Sequence, residues 1–360
     1  MLQGLFMIER MGLLFLMIWS LIPLRTLAGV QDSLRFSLLT CTPGSQIYAL
    51  FGHTGIRYQN ISRGIDLVFN YGMFDFDAPG FIPRFVKGDT DYELGIIPYD
   101  DFVAEYKSRG SCVYGQELNL TDAEKERLSE LLVENYRPEN RIYRYNYFYD
   151  NCTTRAFSQI EKSIHGEVVF PNGKQNVSFR SIIREFTAVS PWSGLGIDLC
   201  LGAEADQPID LRKQMFSPLY ARNFANEAYI VNEDGSTRPL VSRETKTTGV
   251  GKPKRLSSLS PSALFSAFFL LNMAIAYRQW KRQRIYWLWD ILLYSVQGVA
   301  GCVITFLFFV SSHPTVGSNW LVLVFNPLPL LYLPRMIYCS INRKRDPYHL
   351  FNSLYLGAFL

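Results

Sequence analysis

Apolar residues form long runs near both ends of the chain and short, interrupted runs in the middle. Near the start, a mostly apolar run from Met11 to Ile22 follows Arg10 and precedes Thr26-Leu-Ala28, a small-x-small sequence. A basic flank, an apolar run and a small-residue cleavage site are typical of a secretory signal peptide. Residues 1–29 are therefore predicted to be a signal peptide, and the domain that follows is predicted to be exported.

Three apolar segments near the other end predict a transmembrane domain over residues 261–360. They cover residues 263–277, 285–310 and 320–338. The first is at the short end of what crosses a bilayer. The loops after the first and third segments are basic and the loop after the second has no Lys or Arg, so the positive-inside rule places everything before the first segment outside. The apolar stretch from Leu350 could begin a fourth span that this chain does not complete.

The middle of the chain predicts an α+β domain over residues 30–241. Short apolar runs broken by Gly, Asn and Asp predict strands. They cover residues 35–40, 53–58, 66–71 and 92–98. One helix is predicted to begin at Thr121, which forms a capping-box sequence with Glu124, and another near Asn151, which precedes an apolar stripe of three turns. Residues 242–260 lack apolar periodicity and are predicted to be a linker.

Charge divides the chain at the same place. Residues 30–241 carry 21 Lys and Arg against 28 Asp and Glu, a net charge of −7, and the remainder carries +11. A nucleic-acid-binding domain would need a basic field of its own, so no nucleic-acid partner is expected. The basic residues beside the apolar segments, with an aromatic content of 15%, favour a membrane partner instead.

His53 and Cys152 are the residues whose surroundings favour catalysis. His53 starts a predicted strand between two glycines, and Cys152 lies in the first turn of the helix predicted near Asn151. A helix N-terminus and a nearby imidazole both lower a thiol pKa, and the thiolate is the nucleophile. By residue type alone, a buried thiol and a surface imidazole are the commoner interpretation. The glycines and the helix start favour a catalytic pair.

Neighbouring polar residues are expected to complete this site. Asn70 is the preferred candidate to orient the imidazole, and Asp66 is the second. Either Asp150 or Asn151 could cap the helix of Cys152. The free N–H groups of its first turn, at Asn151 and Thr153, could support a tetrahedral oxyanion.

The other cysteines predict no metal site or cofactor. The six cysteines of the chain include no CxxC pair and no metal-ligand spacing. Cys41 and Cys112 could form a disulfide in an oxidising compartment, although their spacing does not decide the matter.

Several motifs resemble those of one known family. They are Cys41-Thr-Pro-Gly, Phe51-Gly-His-Thr-Gly-Ile-Arg57, Asp66-Leu-Val-Phe-Asn-Tyr-Gly72, Phe85-Val-Lys-Gly88, Tyr145-Asn-Tyr-Phe-Tyr-Asp-Asn-Cys-Thr-Thr-Arg155, Ser312-His-Pro and Asn326-Pro-Leu. Together they resemble the Lnb-type lipoprotein N-acyltransferases of Gram-negative bacteria, which pair a periplasmic thiol domain with a C-terminal transmembrane domain. The order of His before Cys also resembles permuted papain-like enzymes, of the NlpC-like or lecithin:retinol acyltransferase (LRAT-like) kind.

This resemblance implies a place and an activity. It implies a permuted papain-like domain in the periplasm, held in the bacterial inner membrane by an α-helical transmembrane region. It also implies that an acyl chain moves from a phospholipid donor to the α-amino group of a lipoprotein acceptor, on its N-terminal diacylglyceryl cysteine. Cys152 would carry the chain as a thioester, and His53 would be the general base.

Two other classes of function stay open at this point. The same pair could serve an envelope cysteine hydrolase, either a peptidase or amidase or a lipase, and the domain could instead be a non-catalytic membrane-anchored scaffold. An acyltransferase must keep water from its thioester, and apolar residues between positions 73 and 87 could form a wall against the bilayer, although they also fit an ordinary core. These residues are Phe74, Phe76, Phe81, Ile82 and Phe85.

Overall fold

The computed structural model describes residues 34–44, 46–247, 259–342, 344 and 346–359. The predicted signal peptide lies outside the described residues. The strands are β1 (Leu34–Cys41), β2 (His53–Asn60), β3 (Ile65–Met73), β4 (Asp91–Pro98), β5 (Val113–Leu118), β6 (Ile142–Arg144), β7 (Glu167–Val169), β8 (Tyr229–Val231), β9 (Thr237–Pro239) and β10 (Val241–Lys246). The helices are α1 (Phe81–Lys87), α2 (Tyr99–Ser108), α3 (Asp122–Tyr136), α4 (Cys152–Ser163), α5 (Phe179–Thr187), α6 (Pro191–Cys200), α7 (Leu211–Gln214), α8 (Pro218–Glu227), α9 (Pro261–Arg282), α10 (Trp287–Val310), α11 (Leu321–Val324), α12 (Leu328–Ile341) and α13 (Pro347–Gly357).

Seven strands form one antiparallel sheet in the order β10-β5-β1-β2-β3-β4-β6, and β7, β8 and β9 form a smaller one. Because successive strand residues face opposite sides, Leu38 enters one hydrophobic core and Leu39 another. Helices α3 and α4 cover the first core, and α2 covers the second with the buried side chain of Phe102. The predicted α+β domain with a strand-rich first half is confirmed.

The predicted elements of this domain form close to their predicted bounds. Strands β1 to β4 are the four predicted strands. Helix α3 begins after Thr121, whose hydroxyl accepts from the Glu124 N–H while the Glu124 carboxylate accepts from the Thr121 N–H, so the capping box is confirmed. Helix α4 begins after Asn151, also as predicted.

The predicted linker begins too early. Residues Val241–Lys246 form β10, which pairs with β5 at the edge of the large sheet, so the linker prediction is wrong for residues 242–246. Five of the six residues of β10 are exposed, and an exposed edge strand carries polar residues on both faces. Its sequence therefore lacks the apolar alternation that predicts a strand. Residues 248–258 of the predicted linker lie outside the described residues.

Two stretches of the described chain, Trp287–Val310 and Leu321–Ile341, are long and apolar enough to cross a membrane. They correspond to the second and third predicted spans, although Leu321–Ile341 is divided between α11 and α12. The first predicted span falls in α9, whose last turn holds Lys281 and Arg282. Helix α13 occupies the stretch where a fourth span was predicted to begin.

The loop between α10 and α11 contacts the N-terminal domain in two places. The Ser312 N–H donates to the Lys87 carbonyl over 2.8 Å, at the C-terminal end of α1. The Asn319 side chain donates to the Leu199 carbonyl over 2.7 Å, near the end of α6. This loop and the N-terminal domain therefore lie on the same side of the membrane, as the charges of the loops predict.

Candidate active site

Helix α4 begins with Cys152 because Asn151 caps it. The Asn151 side-chain oxygen accepts from the Thr153 and Thr154 N–H groups over 2.8 and 3.0 Å. Its amide nitrogen donates to the carbonyls of Tyr147 and Phe216 over 2.8 and 2.9 Å, which anchors the start of the helix to two loops. As the first helical residue, Cys152 keeps an N–H group that has no acceptor within the helix.

Asp150, the other candidate for the cap, is bound elsewhere. Its carboxylate accepts two hydrogen bonds from the Arg155 guanidinium, over 2.6 and 2.7 Å. A carboxylate next to a cysteine opposes thiolate formation, and the pairing with Arg155 offsets that negative charge. The negative charge of Asp150, next to the Cys152 thiol, is therefore neutralised by Arg155.

The sheet brings His53 to this helix. Strand β2 begins at His53, and α4 packs across β2 and β3, where the hydroxyls of Thr54 and Thr153 lie 3.0 Å apart. The His53 Nε2 lies 2.5 Å from the Asn70 Oδ1 on β3, which leaves Nδ1 for the thiol. The ring of Tyr106 stacks on the imidazole at 5.8 Å, with an interplanar angle of 10°.

The electrostatics favour a thiolate–imidazolium pair. Burial raises the pKa of Cys152, but the charge of His53 and hydrogen bonds from His53, the Thr54 N–H and the Thr153 hydroxyl outweigh it, so the pKa is lowered. Burial likewise opposes a charge on His53, but the Cys152 thiolate and the hydrogen bonds of Cys152 and Asn70 raise the pKa of His53. Each group stabilises the charged form of the other.

One of the two candidates for orienting the imidazole, Asp66, has other partners. The Asp66 carboxylate accepts from Arg57 over 2.7 and 2.5 Å and from Gln59 over 3.2 Å. Asp66 pairs with Gln59 in the sheet, near the end of the hairpin away from His53, so the structure does not bring it to the imidazole. Asn70 alone of these two candidates contacts His53.

The expected oxyanion role of Asn151 and Thr153 conflicts with the geometry. The Asn151 N–H donates to the Thr154 hydroxyl over 2.8 Å, and the Thr153 N–H donates to the Asn151 side-chain oxygen, so neither group is free. The Thr153 hydroxyl instead lies 3.9 Å from the Cys152 sulfur and helps to lower the thiol pKa. Thr153 therefore supports the thiolate, and any oxyanion donor must be another group.

Two tyrosine hydroxyls missed by the sequence reasoning lie near the thiol. Within the described chain, the hydroxyls of Tyr143 and Tyr147 are buried and have no hydrogen-bond partner. Burial raises the pKa of both phenols, and the negative charge of Cys152 raises it further. The tyrosines at every second position from Tyr143 to Tyr149 are the signal that could have revealed them.

Gly72 lies at the centre of this group. It has a φ of +83°, and an added Cβ would lie 3.9 Å from the Cys152 Cβ, the Tyr143 hydroxyl and the ring of Tyr145. The absence of a side chain leaves room for about one methyl group next to the Cys152 Cβ and the Tyr143 hydroxyl.

Two expectations from the sequence remain, the disulfide and the apolar wall. Cys41 and Cys112 are free thiols in the structure, so the disulfide is not formed. Of the five residues of the predicted apolar wall, Phe81 is buried, Phe74 is half-buried and the other three are exposed. The wall is therefore part core and part surface.

The fold and this site define a class of protein: a membrane-anchored domain that holds a buried cysteine–histidine pair, with an asparagine behind the histidine. The chain belongs to the Lnb family, because residues 30–184 match the Lnb N-terminal periplasmic domain and residues 253–360 match the Lnb transmembrane domain. The resemblance of the motifs is confirmed. The protein is an inner-membrane protein whose N-terminal domain lies in the periplasm. No curated protein and no solved structure matches the chain.

Proposed function

We propose that the protein is a lipoprotein N-acyltransferase that uses Cys152 as its nucleophile. The observation that carries the proposal is the placement of Cys152 in the first turn of α4 beside His53, whose imidazole is held by Asn70, inside a periplasmic Lnb domain. The lowered pKa of Cys152 and the raised pKa of His53 agree with this geometry. A thiolate at a helix N-terminus is suited to attack an ester carbonyl. The membrane that holds the domain supplies a phospholipid donor and carries the lipoprotein acceptor.

In the first half-reaction the Cys152 sulfur attacks the carbonyl carbon of a phospholipid ester. The tetrahedral oxyanion is stabilised by the Cys152 N–H and the Tyr143 hydroxyl, a buried donor without an acceptor. When the C–O bond breaks, the leaving alkoxide takes the proton from His53, and a lysophospholipid departs. The acyl chain stays on Cys152 as a thioester.

In the second half-reaction the α-amino group of the acceptor's diacylglyceryl cysteine attacks the thioester carbonyl. His53, now neutral, takes a proton from that nitrogen, the C–S bond breaks, and an amide and the thiolate–imidazolium pair result. Asn70 accepts from the His53 Nε2–H and so keeps Nδ1 directed at the sulfur throughout. Cys152 is only 8% exposed, which limits hydrolysis of the thioester.

The order of the elements supports a permuted papain-like arrangement. The strand that carries His53 precedes the helix that begins at Cys152, and that helix packs on the sheet. We propose that the N-terminal domain has this permuted papain-like arrangement.

The test is to trap the acyl-enzyme. Membranes that contain the protein are supplied with phospholipid bearing a clickable acyl chain, and the labelled peptide is located by mass spectrometry. We expect the label on Cys152, its loss in Cys152→Ala and His53→Ala, and no change in Cys200→Ala. Wild type, but not Cys152→Ser, should also complement a strain defective in lipoprotein N-acylation. An active enzyme without label on Cys152 would contradict the mechanism, and complementation by Cys152→Ser would favour a scaffold.

A further inference from the structure

Four large side chains around α1 are exposed, and we call them the aromatic rim. Tyr48, Phe76, Ile82 and Phe85 are 47%, 55%, 64% and 44% exposed. Tyr48 contacts Phe76 at 5.9 Å between ring centroids, and Phe81 contacts both Phe76 and Phe85, at 5.1 and 6.0 Å. A contiguous exposed apolar patch on a water-facing domain marks a surface that meets another molecule or a membrane.

The structure ties this rim to the outer end of a membrane span. The Ser311 hydroxyl donates to the Val86 carbonyl over 2.8 Å, and the His313 Nε2 lies 2.6 Å from the Phe85 carbonyl. Ser311 directly follows α10, which has 24 residues. Such a helix is about 36 Å long, more than the roughly 30 Å of bilayer hydrocarbon. The outer end of α10, and the rim beside it, therefore lie at the lipid–water boundary.

A row of aromatic rings connects the rim to the thiol. Successive centroids along it are 4.3 to 6.0 Å apart, and the rings are those of Phe85, Phe81, Phe74, Tyr92 and Tyr145. The last ring borders Gly72, where the missing side chain leaves space next to Cys152. Phe81 and Tyr92 are 7% and 8% exposed, so the row is packed core, and an acyl chain that follows it stays in an apolar environment from the membrane to the sulfur.

We propose that the aromatic rim is immersed in the outer leaflet of the inner membrane, and that the row of rings is the path by which a phospholipid acyl chain reaches Cys152. The occupant of this surface is phospholipid, because the rim is continuous with the contact between α1 and the membrane domain. The path rests on the proposed function. The immersion of the rim does not.

Photocross-linking tests the immersion. p-Benzoylphenylalanine is introduced at Ile82 of the full chain carrying Cys152→Ala, in vesicles of phosphatidylethanolamine and phosphatidylglycerol with a radiolabelled headgroup. The matched control is Ile61, which is 48% exposed but lies in the turn between β2 and β3, at the opposite end of the hairpin. We expect a lipid adduct at Ile82 and little at Ile61. No adduct at Ile82, or equal adducts at both positions, would overturn the proposal.

A donor comparison tests the path. In the double variant Ile82→Asn/Phe85→Asn, acylation of Cys152 from vesicle phospholipid should fall about tenfold, because two apolar anchors are lost. Acylation from a soluble short-chain ester, and alkylation by iodoacetamide, should stay at the wild-type rates, as both should in Ile61→Asn. Equal loss with both donors would refute the path. If wild type accepts neither donor, the acyltransferase proposal fails, while the cross-link still reports on the rim.

Discussion

Cys41 and Cys152 show how strongly one neighbour decides the chemistry of a buried thiol. Cys41 pairs with His53 across β1 and β2, and its side chain is buried. Burial raises the pKa of Cys41 well above its ordinary value. The pKa of Cys152 is lowered despite its burial, because His53 contributes a positive charge and a hydrogen bond. Reactivity at this site should therefore depend on His53 more than on exposure.

The pH dependence of alkylation tests this assignment. His53 has a raised pKa and Cys152 a lowered one, so the ion pair is populated between these two values. Below the pKa of Cys152 the thiolate takes up a proton and its reactivity falls. We expect iodoacetamide to label Cys152 with a midpoint below that of Cys200, whose pKa burial raises. His53→Ala should move the Cys152 midpoint upward, since burial then dominates.

Mass spectrometry of the labelled peptides over a pH series gives both midpoints in one sample. Cys200 is the internal control, because it is a partly exposed thiol in the same chain. An unchanged Cys152 midpoint in His53→Ala would show that the imidazole does not activate this thiol.

The Tyr143 hydroxyl offers a second test at the residue scale. A buried hydroxyl without a partner costs stability, so Tyr143→Phe should gain about 1 kcal/mol. If the same hydroxyl stabilises the oxyanion, the variant should lose roughly 10²- to 10³-fold in the rate of Cys152 acylation. The aromatic ring, on which the Arg155 guanidinium stacks at 3.6 Å, is retained.

Tyr71→Phe is the matched control for this variant. Tyr71 is also buried, but its hydroxyl donates to Asn135 over 2.8 Å. We expect Tyr71→Phe to be less stable than wild type and to acylate Cys152 at a near wild-type rate. The readouts are the melting temperature of the purified chain and the initial rate of acylation. A Tyr143→Phe enzyme that acylates as fast as wild type would remove Tyr143 from the mechanism.

At the scale of elements, the start of α3 joins the helix to the strands that close the domain. The Glu124 carboxylate caps α3 and also accepts two hydrogen bonds from Arg238 on β9, over 2.6 and 2.7 Å. It accepts a further bond from the His165 N–H over 2.9 Å. Burial raises the pKa of Glu124, but these hydrogen bonds and the charge of Arg238 outweigh it, and the pKa is lowered.

Removal of this charge should destabilise the domain. Glu124→Gln leaves the Arg238 guanidinium without its carboxylate partner, and the loss of one member of a buried pair costs about 3 kcal/mol. Because the folded-state pKa of Glu124 is lowered, its contribution is present above the unfolded pKa and is lost as the pH falls through the folded value. We expect the melting temperature of Glu124→Gln to fall by several degrees at neutral pH, and the difference from wild type to shrink in acid.

Glu126→Gln is the control for this prediction. Glu126 lies on the same helix and is exposed, so its substitution should leave the melting temperature nearly unchanged. Equal effects at both positions would show that the Glu124–Arg238 pair contributes nothing of its own.

The local sequence predicts where a helix begins better than it predicts which side chains contact each other. The caps at Thr121 and Asn151 depend on residues within three positions, so their signals are contained in one short segment. Asp66 was misjudged because its partner, Arg57, is set by the register of β2 and β3. Tyr143 and Tyr145, the tyrosines around Gly72, lie near the thiol because β3, β4 and β6 pair side by side in the sheet. These positions depend on tertiary structure, which spacing along the chain does not contain.

At the scale of the whole molecule, two contacts with the loop between α10 and α11 help to set the position of the active site relative to the membrane. One joins α1 to Ser311 and Ser312, and the other joins the end of α6 to the loop that contains Asn319. Two separate attachments restrict the rotation of a domain in a way that a single tether does not. The distance from Cys152 to the bilayer is therefore fixed by the fold, and a change at either contact should affect acyl transfer without altering the thiol.

A substitution at Gly202 tests whether the second contact positions the active site. A Cβ at Gly202 would lie 2.3 Å from the Thr315 carbonyl oxygen and 2.4 Å from the Ser318 hydroxyl, so Gly202→Val should force the domain and the loop apart. Its φ of −88° is open to any residue, so backbone strain does not explain the effect. Gly196→Val is the matched control, because a Cβ there meets nothing within 4 Å.

We expect Gly202→Val to keep the wild-type pH profile of Cys152 alkylation and its acylation by a soluble ester, but to lose about tenfold in acylation from vesicle phospholipid. Gly196→Val should match wild type in all three assays. If Gly202→Val took phospholipid at the wild-type rate, the contact between the end of α6 and the α10–α11 loop would not position the site.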